Sequence, residues 1–384
     1  MTQVKEKTTA LISSVGADEG QPFQKNILLS ISDRPEKSND PDESFLAMQR
    51  EMFRMSDPTY LRTVTMNELY ETVYPGRPPL IDGLLYPGTY LFVGAPKLGK
   101  SFFMAQIAYH VSMGLPLWDH SVRKGTVLYL ALEDDYRRLQ ERLYRMFGTD
   151  SAEKLYFAIS AKQLGSGLDE QLDRFMREHP DTNLMIIDTL QKVREIGGDN
   201  YSYANDYEII TGLKRFADRY GVCLLLVHDT RKQQADDKFD MISGTNGLLG
   251  AADGAFLLQK EKRTSNNATL DVSGRDQQDQ RLFLKRDPEK LIWLLENTES
   301  ELWKEPPDPV LGAVTSVVTK EQPEWNGSPT ELIQKIGLDM KPNVLALRLN
   351  VNAGRLLNEY HVHYESSRSH AGRNIKLRLE ISKA

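Results

Sequence analysis

One cysteine, Cys223, occurs in 384 residues, so no disulfide can form within the chain, and a reducing cytoplasm is the expected setting. Cys223 lies in the apolar run Val222–Val227, the place of a core residue. No apolar run approaches the roughly 20 residues of a membrane span, so no membrane partner is expected. The opening stretch, MTQVKEKTTALISSVGADEG, has early acids and only a short apolar patch, unlike a secretory signal. Basic charge is not in excess either. A formal net charge of −6 excludes a uniformly basic coat for nucleic acid and leaves only local patches open. No solenoid-type repeat is visible. What is left, 40% hydrophobic and 27% charged residues, is ordinary globular composition in a chain longer than one typical domain.

Against this plain background one string stands out, Gly94-Ala-Pro-Lys-Leu-Gly99-Lys100-Ser101, which reads G-x-x-x-x-G-K-S. It follows an extended apolar run, Thr89–Val93, and precedes a helical pattern, Phe102–His110. Strand, glycine loop and helix in this order are the context a phosphate-binding loop requires. The glycines let backbone N–H groups turn inward onto phosphate oxygens, and the helix N-terminus adds partial positive charge. Gly94, Ala95, Pro96, Lys97, Leu98, Gly99, Lys100, Ser101 and the following Phe102 are therefore candidate nucleotide-binding residues. Lys100 would reach the β- and γ-phosphates and Ser101 would ligate Mg²⁺.

Composition along the chain predicts five parts. Residues 1–43 form a polar, proline-bearing arm and 44–79 a short helical lead-in, with helices expected over Ser44–Arg54 and Met66–Val73. Residues 80–298 form an α/β core with a mostly parallel sheet. Its parallel strands are read at Tyr90–Val93, Thr126–Leu132, Leu184–Asp188, Val222–His228 and Gly254–Gln259, with helices at Leu139–Phe147, Leu168–Glu178 and Tyr207–Tyr220. Three alternating runs, Ala268–Arg275, Arg281–Arg286 and Leu291–Glu296, predict an antiparallel extension of the sheet. Residues 299–322, with Pro306, Pro307 and Pro309, read as linker. In 323–384, Ser328 caps a helix, patterns at Pro342–Asn350 and Ala353–Tyr360 give two more, and His361–Leu379 reads as a hairpin turning at Ala371-Gly372. Helices followed by a hairpin suggest a small winged-helix-like domain. From Lys341 onward eight Lys/Arg face three Glu, which suits either a nucleic-acid-binding appendage or a solvated basic surface.

Several acids and bases sit at strand ends. Leu184-Met-Ile-Ile-Asp188 is an apolar strand ending in a carboxylate, which would face the phosphates and hold Mg²⁺ with Ser101. Glu133, first of three acids after Thr126–Leu132, is the candidate base for an attacking water, while Asp134 and Asp135 suit a helix cap. His228 is either a γ-phosphate sensor or a structural histidine. Arg275, in Ser273-Gly-Arg-Asp276, is either an arginine finger for a neighbouring subunit or a surface residue paired with Asp276. Two polar loops are either solvated or functional: around Gly197–Tyr203 two tyrosines would stack on bases, and in Gln233–Gly250 the glycines suit a backbone that bends or approaches another chain.

In this order GAPKLGKS, LYLALEDD, LMIIDT, LLLVHDTRK, SGTNGLLGAADGAFLL and VSGRD resemble the RepA-like hexameric replicative helicases, within the wider RecA/DnaB group of ATPases. The resemblance covers Leu80–Glu296 and implies a RecA-like P-loop core that binds ATP and Mg²⁺ and assembles as a homo-oligomeric ring, a hexamer, around single-stranded DNA. It implies nucleotide contacts for Lys100 and Ser101, catalysis for Glu133, Mg²⁺ for Asp188, γ-phosphate sensing for His228 and a finger role for Arg275. The arm and the tail match the RepA motifs nowhere. Chains with this core and a small C-terminal domain resemble proteins of plasmids, phages and mobile elements, where that domain would meet DNA or a replication-initiation partner. A non-translocating regulatory DNA-binding ATPase is the alternative.

Overall fold

The computed structural model describes residues 49, 52–54, 56–61, 63–74, 76–194, 203–230, 246–260, 262, 264–275, 277, 279–300, 307–369 and 372–380. The expected arm, most of Ser44–Arg54, the loops at 195–202 and 231–245, and Asp276 lie outside them. The chain divides into two compact units, one of Arg77–Pro307, the other of the described residues up to Gly76 together with those from Asp308 onward.

The first unit is built on a nine-stranded sheet. In chain order its elements are β1 (Gly88–Gly94), α2 (Lys100–Met113), β2 (Thr126–Ala131), α3 (Tyr136–Phe147), β3 (Leu155–Ala158), α4 (Leu168–Glu178), β4 (Thr182–Asp188), α5 (Leu190–Val193), α6 (Tyr203–Tyr220), β5 (Cys223–Asp229), α7 (Asn246–Ala251) and β6 (Gly254–Gln259), then β7 (Asn267–Gly274), β8 (Gln280–Arg286) and β9 (Trp293–Ser300); α1 belongs to the other unit. Strands lie in the order β3-β2-β4-β5-β1-β6-β7-β8-β9. Those from β3 to β6 run parallel, and β7 to β9 extend the sheet antiparallel. The expected parallel strands and meander are present, with one strand more. β3 has only four residues, Leu155–Ala158, none of them fully buried, too short for a period to be read in advance.

The continuous apolar strands follow from burial on both faces. Alternate residues go to opposite sides: Tyr90, Phe92, Tyr129, Ile186 and Leu225 join Phe103 and Met104 of α2 and Leu139 of α3. Leu91, Val93, Leu130, Ile187 and Leu226 join Leu172 of α4 and Ile210 and Leu213 of α6. Helix α2 is buried almost all round, which is why its sequence is apolar rather than amphipathic. Phe92 and Phe103 meet edge to face at 5.4 Å, so truncating either would cost about 3–5 kcal/mol. This wedges α2 rigidly behind the loop that precedes it.

The second unit contains α1 (Met66–Glu71), α8 (Pro309–Thr315), β10 (Glu324–Gly327), α9 (Pro329–Ile336), α10 (Pro342–Val351), α11 (Ala353–Tyr360), β11 (Val362–Ser369) and β12 (Gly372–Leu379). Its three-stranded sheet has the order β10-β12-β11 around a core that includes Leu311, Trp325, Leu345, Leu356 and Leu377. Two features differ from the sequence reading. The supposed linker at 299–322 ends β9 and carries α8, because Asp308 caps the helix, Pro309 opens it, and Leu311 and Val314 reach the core. The lead-in helix α1 belongs to this unit as well: Asn350 Nδ2 donates to the Tyr70 and Glu71 carbonyls, and Glu71 pairs with Arg373.

Candidate nucleotide site

The glycine loop leaves β1 at Gly94 and enters α2 at Lys100. Its turn needs left-handed backbone at Lys97 (φ 68°) and at Gly99 (φ 102°). At Gly94 a side chain has no room, since a Cβ would stand 2.7 Å from the Leu258 carbonyl oxygen of neighbouring β6. Lys100 folds back over the loop it closes. Its Nζ donates to the carbonyls of Gly94 at 2.8 Å and Ala95 at 3.0 Å, and to Asp229 Oδ1 at 2.5 Å.

Parallel register carries the other groups to the same edge. Ala131 of β2 stands opposite Asp188 of β4, and the Leu132 N–H donates to the Asp188 carbonyl at 2.8 Å. On the other side of β4, β5 aligns with β1 so that Val93 faces His228 and Gly94 faces Asp229. Asp188 is buried and accepts a 2.8 Å hydrogen bond from the Tyr129 hydroxyl. Burial pushes its carboxyl up, while hydrogen bonds from the Ser101 and Tyr129 hydroxyls and the charges of Lys100 and Arg142 pull it down. Ser101 and Asp188 thus already converge, and a hydroxyl beside a carboxylate is a donor set suited to Mg²⁺. No group of three or more His, Cys, Asp or Glu side chains is disposed to hold a metal among the described residues.

The three acids after β2 separate by role. Asp135 accepts from the Arg138 N–H at 2.9 Å and caps α3, as the capping reading expects. Asp134 pairs with Arg142 at 2.6 Å and Arg138 at 3.3 Å. Glu133 is exposed at the strand tip, one residue past the Leu132 bridge to Asp188.

His228 is buried. Burial, with nearby Arg194, lowers its pKa to about 4, so the imidazole is neutral at physiological pH. Arg275 stands apart from all of these. Gly254 of β6 pairs with Tyr90 of β1 on one side and with Gly274 of β7 on the other, at the sheet edge opposite the loop. From Tyr90 to Gly94 is about 13 Å of strand rise. Within its own chain the Arg275 guanidinium donates to the Gly250 carbonyl at 3.0 Å.

Sequence reasoning singled out Phe102 but not the groups gathered around it beside Gly99, namely Arg286, Trp293 and Lys260. The Arg286 guanidinium lies 4.5 Å from the Phe102 ring centre and 5.9 Å from that of Trp293, and Lys260 lies 5.3 Å from Trp293. Burial and Arg145 lower the Arg286 pKa, and burial and Arg286 lower that of Lys260. Tyr129 and Asp229 were missed too, although each stands within a string already singled out, as a hydroxyl in an apolar strand and as the neighbour of His228.

Strand order with a phosphate loop after β1, and β5 inserted between β1 and the acid-tipped β4, defines the architecture. The core has a RecA-like P-loop fold. Residues 56–235 match the family model described as an AAA domain. Among solved structures the chain is similar to one described as an ATPase domain, with 15% identity over 68% of this chain and 100% of that one and a TM-score of 0.48. It is also similar to a DnaB-like replicative helicase described with its interactions with primase, with 17% identity over 65% and 71% and a TM-score of 0.47. A KaiC-like protein from Pyrococcus horikoshii OT3 shares 14% identity over 59% and 99%, at a TM-score of 0.42. No curated protein matches the chain. No helix among the described residues is long and apolar enough to cross a membrane.

Proposed function

We propose that this chain is an ATP-hydrolysing motor of the RepA-like helicase type, which assembles as a ring and moves on single-stranded DNA in the replication of a plasmid or other mobile element. The observation that carries the reading is one of register: the sheet brings Lys100, Ser101, Asp188 and Glu133 to one edge and leaves Arg275 at the other. Lys100 binds the β- and γ-phosphates, backbone N–H groups of the loop orient them, and half-buried Phe102 and Arg286, backed by the buried Trp293, offer stacking and positive charge to the rest of the nucleotide. Ser101 and Asp188 would hold Mg²⁺, which supplies charge neutralisation at the phosphates. Glu133, exposed and adjacent, orients and deprotonates the attacking water. Neutral His228 and Asp229 form the polar tip of β5 between the loop and β4, where a change in phosphate occupancy would be felt. Arg275 is too far along the sheet to serve its own site, so as a finger it must serve a neighbour's, and that ties hydrolysis to assembly. A winged-helix-like C-terminal domain would then bind a replication-initiation partner.

Phosphate release with Mg²⁺ and ATP, measured with and without single-stranded DNA, tests this. We expect DNA stimulation that weakens with salt. Lys100→Ala should abolish nucleotide binding. Glu133→Gln should keep binding and lower turnover by about two to four orders of magnitude. Equal turnover without DNA would favour the regulatory ATPase, and unchanged affinity in Lys100→Ala would falsify the site.

A further inference from the structure

The three donors of the Lys100 ammonium are all engaged, by the Gly94 and Ala95 carbonyls and by Asp229 Oδ1. A phosphate entering the loop must therefore replace at least one partner. The two carbonyls belong to the loop itself. The carboxylate does not, and its geometry is independently fixed: Asp229 faces Gly94 in the β1–β5 register, and the next N–H, of Thr230, donates to the Gly94 carbonyl at 3.2 Å. Lys100 is 8% exposed at its side chain while Asp229 is 57% exposed, so the carboxylate closes the buried ammonium from the solvent side, the direction of ligand approach. Strand alternation explains the choice of residue. His228, one position earlier, points to the opposite face and is buried, which leaves Asp229 as the side chain at the loop.

We propose that Asp229 is a positioning residue that latches Lys100 in the empty phosphate loop and is displaced by the incoming polyphosphate, so that it sets the nucleotide affinity of the site. This rests on the reading of Gly94–Ser101 as a phosphate loop. Two consequences follow from the charges alone. The carboxylate and the phosphate oxygens compete for one ammonium and repel each other, so the latch weakens binding more for ligands with more phosphates. Its release frees a charged side chain at the tip of β5 only when the site is filled, giving that strand two states linked to occupancy.

Binding of AMP, ADP and ATP with Mg²⁺ to the full-length wild type, Asp229→Asn and Asp229→Glu, by calorimetry, tests the latch. Asp229→Asn should tighten ATP binding by about tenfold or more, ADP by less and AMP least, a gradient that a merely structural change would not produce. Asp229→Glu keeps the carboxylate and should stay within about threefold of wild type, which guards against misfolding as the cause. Equal affinity in wild type and Asp229→Asn, or the same factor for all three nucleotides, would overturn the latch and leave the phosphate-loop reading standing. A wild-type protein that binds no nucleotide would overturn both.

Discussion

His228 is a buried imidazole held neutral by burial and by nearby Arg194, and it sits directly behind the only side chain that pairs with Lys100 among the described residues. Its lowered pKa has a sign that can be measured. The unfolded chain takes up the proton near pH 6.5 and the folded one only near 4, so between these values the unfolded state binds more protons. His228 therefore contributes stability that is present above pH 6.5 and is lost as pH falls toward 4. We expect the ligand-free wild type to lose about 2 kcal/mol more than His228→Gln between pH 7.5 and 4.5 in urea unfolding. Parallel pH curves for the two proteins would contradict the burial of the neutral ring. Asp188 has the opposite disposition, with burial raising its carboxyl while hydrogen bonds from the Ser101 and Tyr129 hydroxyls oppose that rise.

The elements of the core were legible because their signals are local. Each parallel strand is a short, unbroken apolar run, and the loop Gly94–Ser101 has its chemistry in eight consecutive residues. Strand tips announced Asp188, Glu133 and His228 in the same way. What the sequence could not supply was register. That Asp229 faces Gly94, that Tyr129 reaches Asp188, and that Arg286 and Trp293 of β8 and β9 flank Gly99 all depend on pairing between segments distant in the chain. β3 was invisible because four residues are too few to show a period, and α8 was hidden by a proline-rich context in which Pro309 in fact starts it. The β1–β6 contact is the tightest of these pairings at the site. Gly94→Ala would set a methyl 2.7 Å from the Leu258 carbonyl and push the strands apart at the loop. A loss of about 1–3 kcal/mol in unfolding, with weaker nucleotide binding, is the expected outcome. An unchanged thermal midpoint would show that the loop does not depend on that close approach.

Across the whole molecule, charge and distance are distributed unevenly. The basic tail reads differently once folded: of its eight cations from Lys341 onward, Arg348, Arg355, Arg368, Arg373 and Lys376 are ion-paired with Asp308, Glu359, Glu71 and Glu324. Three of those four acids lie before Lys341, so a window of sequence overstated the free charge. Much of the second unit's basicity is thus matched by its own acids. In the first unit Arg275 and Lys100 stand a strand's length apart, so the proposed finger role requires a second copy of the chain. Mixing settles that claim most directly. Glu133→Gln subunits would keep a good finger and a dead site, Arg275→Ala subunits a good site and no finger, and phosphate release is followed as their ratio is varied. The account predicts a maximum at intermediate ratios that exceeds the activity of either variant alone. Activity that never rises above the weighted sum of the two, at any ratio, would contradict it.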